Sequence, residues 1–128
     1  MERDRKLPHV FPSARLAGAA HADGQTAHVL LDLADGRIRA LIDWGGVGLG
    51  DPCGDLAGAF LLGGEPLLRG TLERYSRPLD PDTAERARLR AICSSVAQIH
   101  YGLRWHRPRW RSGAVRELRF FEAWSRDR

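Results

Sequence analysis

Two periods divide the chain. Residues 28–34 (His-Val-Leu-Leu-Asp-Leu-Ala) and 37–42 (Arg-Ile-Arg-Ala-Leu-Ile) are short β-rich runs. The Asp35-Gly36 pair between them is a strong two-residue turn signal, so a β-hairpin is predicted over 28–42. Beyond Gly50 the apolar positions recur every three or four residues, the period of a helix. Asp51 followed by Pro52 reads as an N-cap and a first helical residue, where the missing proline N–H costs nothing. That helix is predicted to run to about Leu62 and to end at Gly63-Gly64. A second helix is predicted from Pro66 to Tyr75, with Leu67, Leu68, Leu72 and Tyr75 at helical spacing. Asp80-Pro81-Asp82-Thr83 then caps a longer one, for which Leu89, Ile92, Val96, Ile99 and Leu103 form the expected buried stripe. A linker rich in Arg, Trp and Pro, from Arg104 to Gly113, leads to a last helix from Ala114 to about Trp124. Its apolar face would be Val115, Leu118, Phe121 and Trp124.

Residues 1–20 show no clean period and read as an irregular lead-in, with Pro8 and Pro12 bracketing a short extended piece. The glycines at 45, 46, 48 and 50 read as a flexible turn. No repeat or low-complexity segment is present. Together these elements predict an α+β fold, one β-hairpin packed on a mostly helical subdomain. The expected organisation is a single domain with a lead-in (1–20), a polar motif region (21–55) and a helical subdomain (56–128).

Composition narrows the picture in three ways. At 128 residues the chain is one domain or a piece of one. The net charge of +4 is unevenly spread, with carboxylates concentrated before residue 84 and arginines after it, and Lys6 is the sole lysine. Any chemistry that needs a phosphate-binding lysine must therefore use Lys6. No run of about 18 apolar residues exists and the amino terminus leads into no apolar signal core, so a soluble, cytoplasmic protein with no membrane partner is expected. Cys53 and Cys93 lack metal-type spacing and read as two reduced core thiols.

The chemistry concentrates around the hairpin. An aspartate directly after Ala40-Leu41-Ile42 is costly inside a core unless it is paired or bound to a cation, and the hairpin returns this Asp43 to the neighbourhood of the Asp23 loop. Gly45 to Gly50 do not form Gly-x-Gly-x-x-Gly, and no Gly-Lys-Ser/Thr occurs. Tyr101 to Arg111 interleaves arginine with aromatic residues, as nucleic-acid stacking surfaces do. The stronger reading there is a helix connection anchored by Trp105 and Trp110, with arginines snorkelling from its rim.

Ile42-Asp43-Trp44-Gly45, then Gly50-Asp51-Pro52, then Asp55 resembles the metal-binding strand of the aminoglycoside phosphotransferase-like kinases. Upstream, His21-Ala22-Asp23, four residues, then His28 falls where that family carries His-Gly-Asp, four residues, Asn. Ala22 stands in place of the glycine and His28 in place of the metal-binding asparagine. The resemblance implies a protein-kinase-like carboxyl-terminal lobe fragment and ATP-dependent phosphorylation of a small-molecule hydroxyl acceptor. It implies Asp23 as catalytic base, Asp43 as a ligand of Mg2+ bridging the nucleotide phosphates, and His28 at the second ligand position. His21, Asp51 and Asp55 are implied as structural support, Asp51 capping its helix and Asp55 bonding back to the catalytic-loop backbone. The ATP-gripping amino-terminal lobe is expected to be missing or supplied by a separate chain, leaving the isolated chain inactive. The alternatives are a non-catalytic binding scaffold and, behind it, a basic nucleic-acid-binding module.

Overall fold

The computed structural model describes residues 18–126. Its helical part is built from α1 (Cys53–Glu73), α2 (Thr83–Arg104) and α3 (Pro108–Arg126). Within Cys53–Glu73 the two helices expected on either side of Gly63-Gly64 are both present, as two arms that meet at a sharp kink, because Gly63 and Gly64 leave helical geometry, Gly64 with a φ of 65°. Pro66 lies in the first turn of the second arm, where it has little bonding to lose. Leu56, Phe60 and Leu61 of the first arm and Leu68 of the second meet Ala87 and Ala91 of α2 and Phe121 of α3 in one core. The fully buried Phe60 ring lies 4.6 Å from that of Phe121, and its burial is worth about 2–3 kcal/mol.

The inward face of α2 differs from the expected stripe. Ala87, Ala91, Ser95 and Gly102 are buried, whereas Leu89, Val96 and Leu103 are exposed and only Ile92 packs against the core. Close helix approach explains the choice, since small residues allow neighbouring backbones nearer than leucines would. At Gly102 a Cβ would sit 2.9 Å from the backbone nitrogen of Arg111. The expected linker from Arg104 to Gly113 is mostly helix. α2 ends on His106 in the left-handed region (φ 51°), Arg107 N–H donates to the Gly102 carbonyl at 2.8 Å, and α3 starts at Pro108. This is the six-to-one bond of a Schellman turn followed by proline at a helix start. Tyr101, Trp105 and Trp110 pack around that turn, Tyr101 and Trp110 at 5.3 Å. The buried residues of α3 are Ala114, Glu117 and Phe121, with Leu118 and Trp124 packed at the edge; Val115 faces out. Both thiols are free, but only Cys53 is in the core, and Cys93 is exposed.

The β part is two small antiparallel ladders. Strands β2 (Val29–Leu31) and β3 (Ile38–Leu41) form the hairpin, with Val29 opposite Leu41. Its turn is wider than the two residues expected. Asp32 N–H donates to Arg37 O and Gly36 N–H to Asp32 O, each at 2.8 Å, because the Asp32 carboxylate accepts the Ala34 N–H and starts the turn early. That bond and the Arg39 guanidinium hold Asp32 below the usual carboxylate range, against a small effect of burial. The second ladder joins β1 (Gly18–Ala20) to β4 (Gly48–Gly50). It overlaps the end of the expected irregular lead-in, whose residues 1–17 lie outside those described, and it makes part of the glycine-rich turn a strand. Glycine and alanine carry almost no strand propensity; here the ladder ties the segment before His21 to the segment before Asp51.

Candidate active site

The loop between β1 and β2 carries His21, Asp23 and His28, and Asp43 follows β3. Pairing of β2 with β3 continues one bond further, Ile42 N–H to His28 O at 2.9 Å, so the residues just beyond each strand are neighbours. Asp23, His28 and Asp43 consequently offer one ligand atom apiece within 4.8 Å of one another. The imidazole sits between the carboxylates, with Nδ1 3.6 Å from Asp23 Oδ2 and Nε2 3.5 Å from Asp43 Oδ2. Nδ1 also lies 2.9 Å from the Asp23 backbone carbonyl. A carbonyl oxygen only accepts, so Nδ1 carries a proton. Asp23 Oδ1 accepts from Gln25 Nε2 at 2.9 Å, and its other oxygen faces His28.

Three connections set this geometry. Asp55, in the first turn of α1, accepts the His21 N–H at 2.8 Å on one oxygen and the Ala22 N–H at 3.0 Å on the other. His21 is buried and its Nε2 donates to Ile42 O at 2.8 Å, while Nδ1 accepts a longer bond from Asp23 N–H. It thus braces the loop against the strand leading to Asp43, and Trp44 covers it edge-on at 4.6 Å. Gly58 of α1 forms the floor: a Cβ there would lie 2.3 Å from Gly24 O.

Ala22 and Asp43 are both left-handed, at φ 66° and 63°. For alanine that conformation costs about 1–2 kcal/mol, partly offset by the greater chain entropy a glycine would lose. Ala22→Gly is therefore expected to raise stability by about 0.5–1 kcal/mol in urea unfolding; a decrease would show that the methyl is packed rather than tolerated.

Asp51 is not at the cluster. It precedes α1 by one residue more than the expected cap, yet its carboxylate still accepts the Cys53 N–H at 3.0 Å, together with the Cys53 thiol. It also meets Arg86 of α2 at 3.2 Å through two guanidinium nitrogens. Burial pushes the Asp51 carboxyl up, but the Cys53 bonds and Arg86 outweigh it and hold the group below its ordinary value. Burial, aided by the adjacent Asp51 charge, pushes the Cys53 thiol up to about 11, so it is an inert packing group.

Gln25, Arg86 and Glu117 are the residues that sequence reasoning missed. Glu117 is buried, and it accepts from Ser95 Oγ of α2 at 3.0 Å and from Thr26 Oγ1 at 3.2 Å, joining α3 to the loop that carries His28. The signal was a carboxylate on the Ala114–Phe121 side of α3, where an apolar residue would otherwise pack.

The donor set bears on which cation fits. Two carboxylates suit a hard divalent ion, but magnesium prefers six oxygens and the central donor here is an imidazole. Beside Asp23 opens a mostly apolar cleft of about 380 Å³, lined also by Val29, Leu41, Leu62 and Leu67. No helix among the described residues is long and apolar enough to cross a membrane. The model of one family, described as the phosphotransferase enzyme family, matches residues 3–92, more than two thirds of the chain. The match takes in the whole Asp23–Asp43 region and begins well upstream of His21. No curated protein matches the chain.

Proposed function

The chain belongs to the phosphotransferase enzyme family, and from that premise we propose that it supplies the catalytic-loop half of a site that phosphorylates a hydroxyl of a small molecule. The observation that carries the reading is the meeting of Asp23, His28 and Asp43 within 4.8 Å inside the matched region. Asp23 is the base: its Oδ2 takes the acceptor hydroxyl proton as the oxygen attacks the terminal phosphorus of a nucleoside triphosphate. The bond from that phosphorus to the bridging oxygen breaks and the diphosphate leaves, while Gln25 fixes the other Asp23 oxygen. Asp43 and His28 would hold a divalent cation, which would supply positive charge against the transferring phosphates. His21 and Asp55 keep the loop in register through backbone bonds, and Asp51 secures the start of α1. The cleft beside Asp23 receives the acceptor.

ATP is the family's usual phosphoryl donor, and only part of what it requires is found here. The sequence has no glycine-rich phosphate loop, and its sole lysine is Lys6. We assign the phosphate grip to another polypeptide segment or chain. The exposed apolar residues Leu30, Ile38, Leu41 and Ile42 on and beside the hairpin support a covering surface of that kind. Purified protein with ATP and a divalent cation is thus expected to give negligible phosphorylation of aminoglycosides, macrolides or amino alcohols. Robust turnover abolished by Asp23→Ala would show that the chain carries its own grip. Thermal stabilisation by nucleotide that needs a divalent ion and disappears in Asp43→Ala is expected. Its absence with every divalent ion tried would return the chain to the class of non-catalytic binding scaffolds.

A further inference from the structure

We infer that the Asp23–His28–Asp43 cluster is a site for a divalent transition-metal ion that accepts nitrogen, of the manganese or zinc class, in preference to magnesium. The inference rests on the site of the proposed function but not on its reaction.

The argument begins with the proton on His28. Because Nδ1–H is committed to the Asp23 backbone carbonyl at 2.9 Å, the neutral ring has its lone pair on Nε2. That nitrogen faces Asp43 Oδ2 at 3.5 Å. Two acceptors then oppose each other, an arrangement that positive charge between or beside them makes favourable. A cation held by Nε2 and Asp43 supplies that charge, with the Asp23 carboxylate beside it in a group whose residues each offer a ligand atom within 4.8 Å of the others. Histidine ligands ordinarily donate their other ring N–H to a carbonyl or carboxylate, which fixes tautomer and ring plane, and the Asp23 carbonyl serves that purpose here. Gln25 in turn orients the Asp23 carboxylate. The His28 side chain is only 16% exposed, so the ring is held in place by its surroundings.

Ligand chemistry decides the ion. Imidazole with carboxylates suits manganese, iron and zinc, and affinity for such a set rises along the first-row series, whereas magnesium keeps its water and seeks oxygen. The substitution at position 28 therefore retunes the site instead of erasing it.

The test uses the full chain, stripped of metal, with no nucleotide or acceptor present. At about pH 8, where an imidazole is ordinarily neutral, Mn2+ binding is read from loss of the free-ion paramagnetic resonance signal, and Zn2+ and Mg2+ are titrated as competitors. One Mn2+ per chain is expected, displaced by Zn2+ at concentrations at least about tenfold below those of Mg2+. His28→Asn should weaken Mn2+ and Zn2+ by about 10–100-fold and narrow or reverse the gap to Mg2+. Asp43→Ala should remove binding of all three, and circular dichroism checks that each variant folds. Should Asp43→Ala fail to fold, Asp43→Asn, which keeps shape but removes charge, serves with the same expected loss. Equal competition by Mg2+ and Zn2+, or unchanged Zn2+ affinity in His28→Asn, would overturn the inference and leave the phosphotransferase reading standing. A chain that binds no divalent ion at all would overturn both.

Discussion

Arg86→Ala is expected to destabilise the protein by about 3–5 kcal/mol, the cost of removing one partner from a buried charge cluster. The Arg86 side chain is 5% exposed and three carboxylates converge on it: Asp51 at 3.2 Å, Asp80 at 3.4 Å, and Asp82 one helical turn earlier. It also reaches Thr83 Oγ1. Burial penalises the charged guanidinium, yet the bonds to Asp51 and Asp82 raise its pKa further still, so the group stays charged throughout the accessible range. Without it, the carboxylates on α1's amino end and on the turn before α2, of which Asp80 is buried, repel one another with no cation between them. Arg86→Lys keeps the charge but loses the planar fork, and should recover only part of the loss. Urea unfolding at neutral pH measures both. A second readout comes from acid. The Asp51 carboxyl is held below its ordinary value of 3.8, so its contribution is fully present above that pH and is lost as pH falls through the lower folded value. In Arg86→Ala this acid-dependent loss should shrink, because the guanidinium no longer depresses the carboxyl. A variant with near-native stability would mean that the cluster is solvated well enough to need no cation.

This cluster also shows where sequence is silent. Asp82 and Arg86 are at helical spacing and can be paired on paper, but nothing in the local pattern says that Asp51, far upstream, turns toward the same guanidinium. The elements whose signals are local were legible: the hairpin around residues 28–42, the break at Gly63-Gly64 and the start of α2 after Asp82. The meeting of Asp23 and Asp43 was equally readable, because they flank a hairpin, and a hairpin must bring its two ends together. What failed depended on which neighbour approaches. Leu89, Val96 and Leu103 have the right period for a core stripe, yet the close contacts with α1 and α3 favour Ala87, Ala91 and Ser95. The β1–β4 ladder uses glycine and alanine, whose propensity opposes a strand, so only the tertiary pairing reveals it. The start of α3 at Pro108 had a local sign, proline at a first helical position, that the surrounding arginines and tryptophans obscured.

Gly58→Ala is the substitution in which local and tertiary physics have opposite signs. In a solvent-exposed helix, alanine would stabilise by about 1 kcal/mol over glycine. Here the new methyl would lie 2.3 Å from Gly24 O and 3.0 Å from Gly24 C, both backbone atoms that cannot rotate away. Gly24 cannot retreat freely either. It follows Asp23 directly, and a Cβ at Gly24 would itself lie 3.1 Å from Gly54 O on the same helix, so loop and helix are in contact along more than a turn. Either α1 shifts from the loop, stretching the Asp55 bonds to His21 and Ala22, or the loop lifts and takes Asp23 away from His28. Overpacking of this kind costs about 1–3 kcal/mol, enough to cancel the propensity gain and leave a net loss. On the metal-site inference drawn above, the loss should be accompanied by weaker Mn2+ binding, because a displaced Asp23 carbonyl no longer holds the His28 ring toward Asp43. Urea unfolding and Mn2+ titration of Gly58→Ala therefore test one contact twice. A variant more stable than the parent, with unaltered Mn2+ affinity, would show that the loop does not rest on α1 at Gly58, and that the Asp55 and His21 bonds suffice to position Asp23.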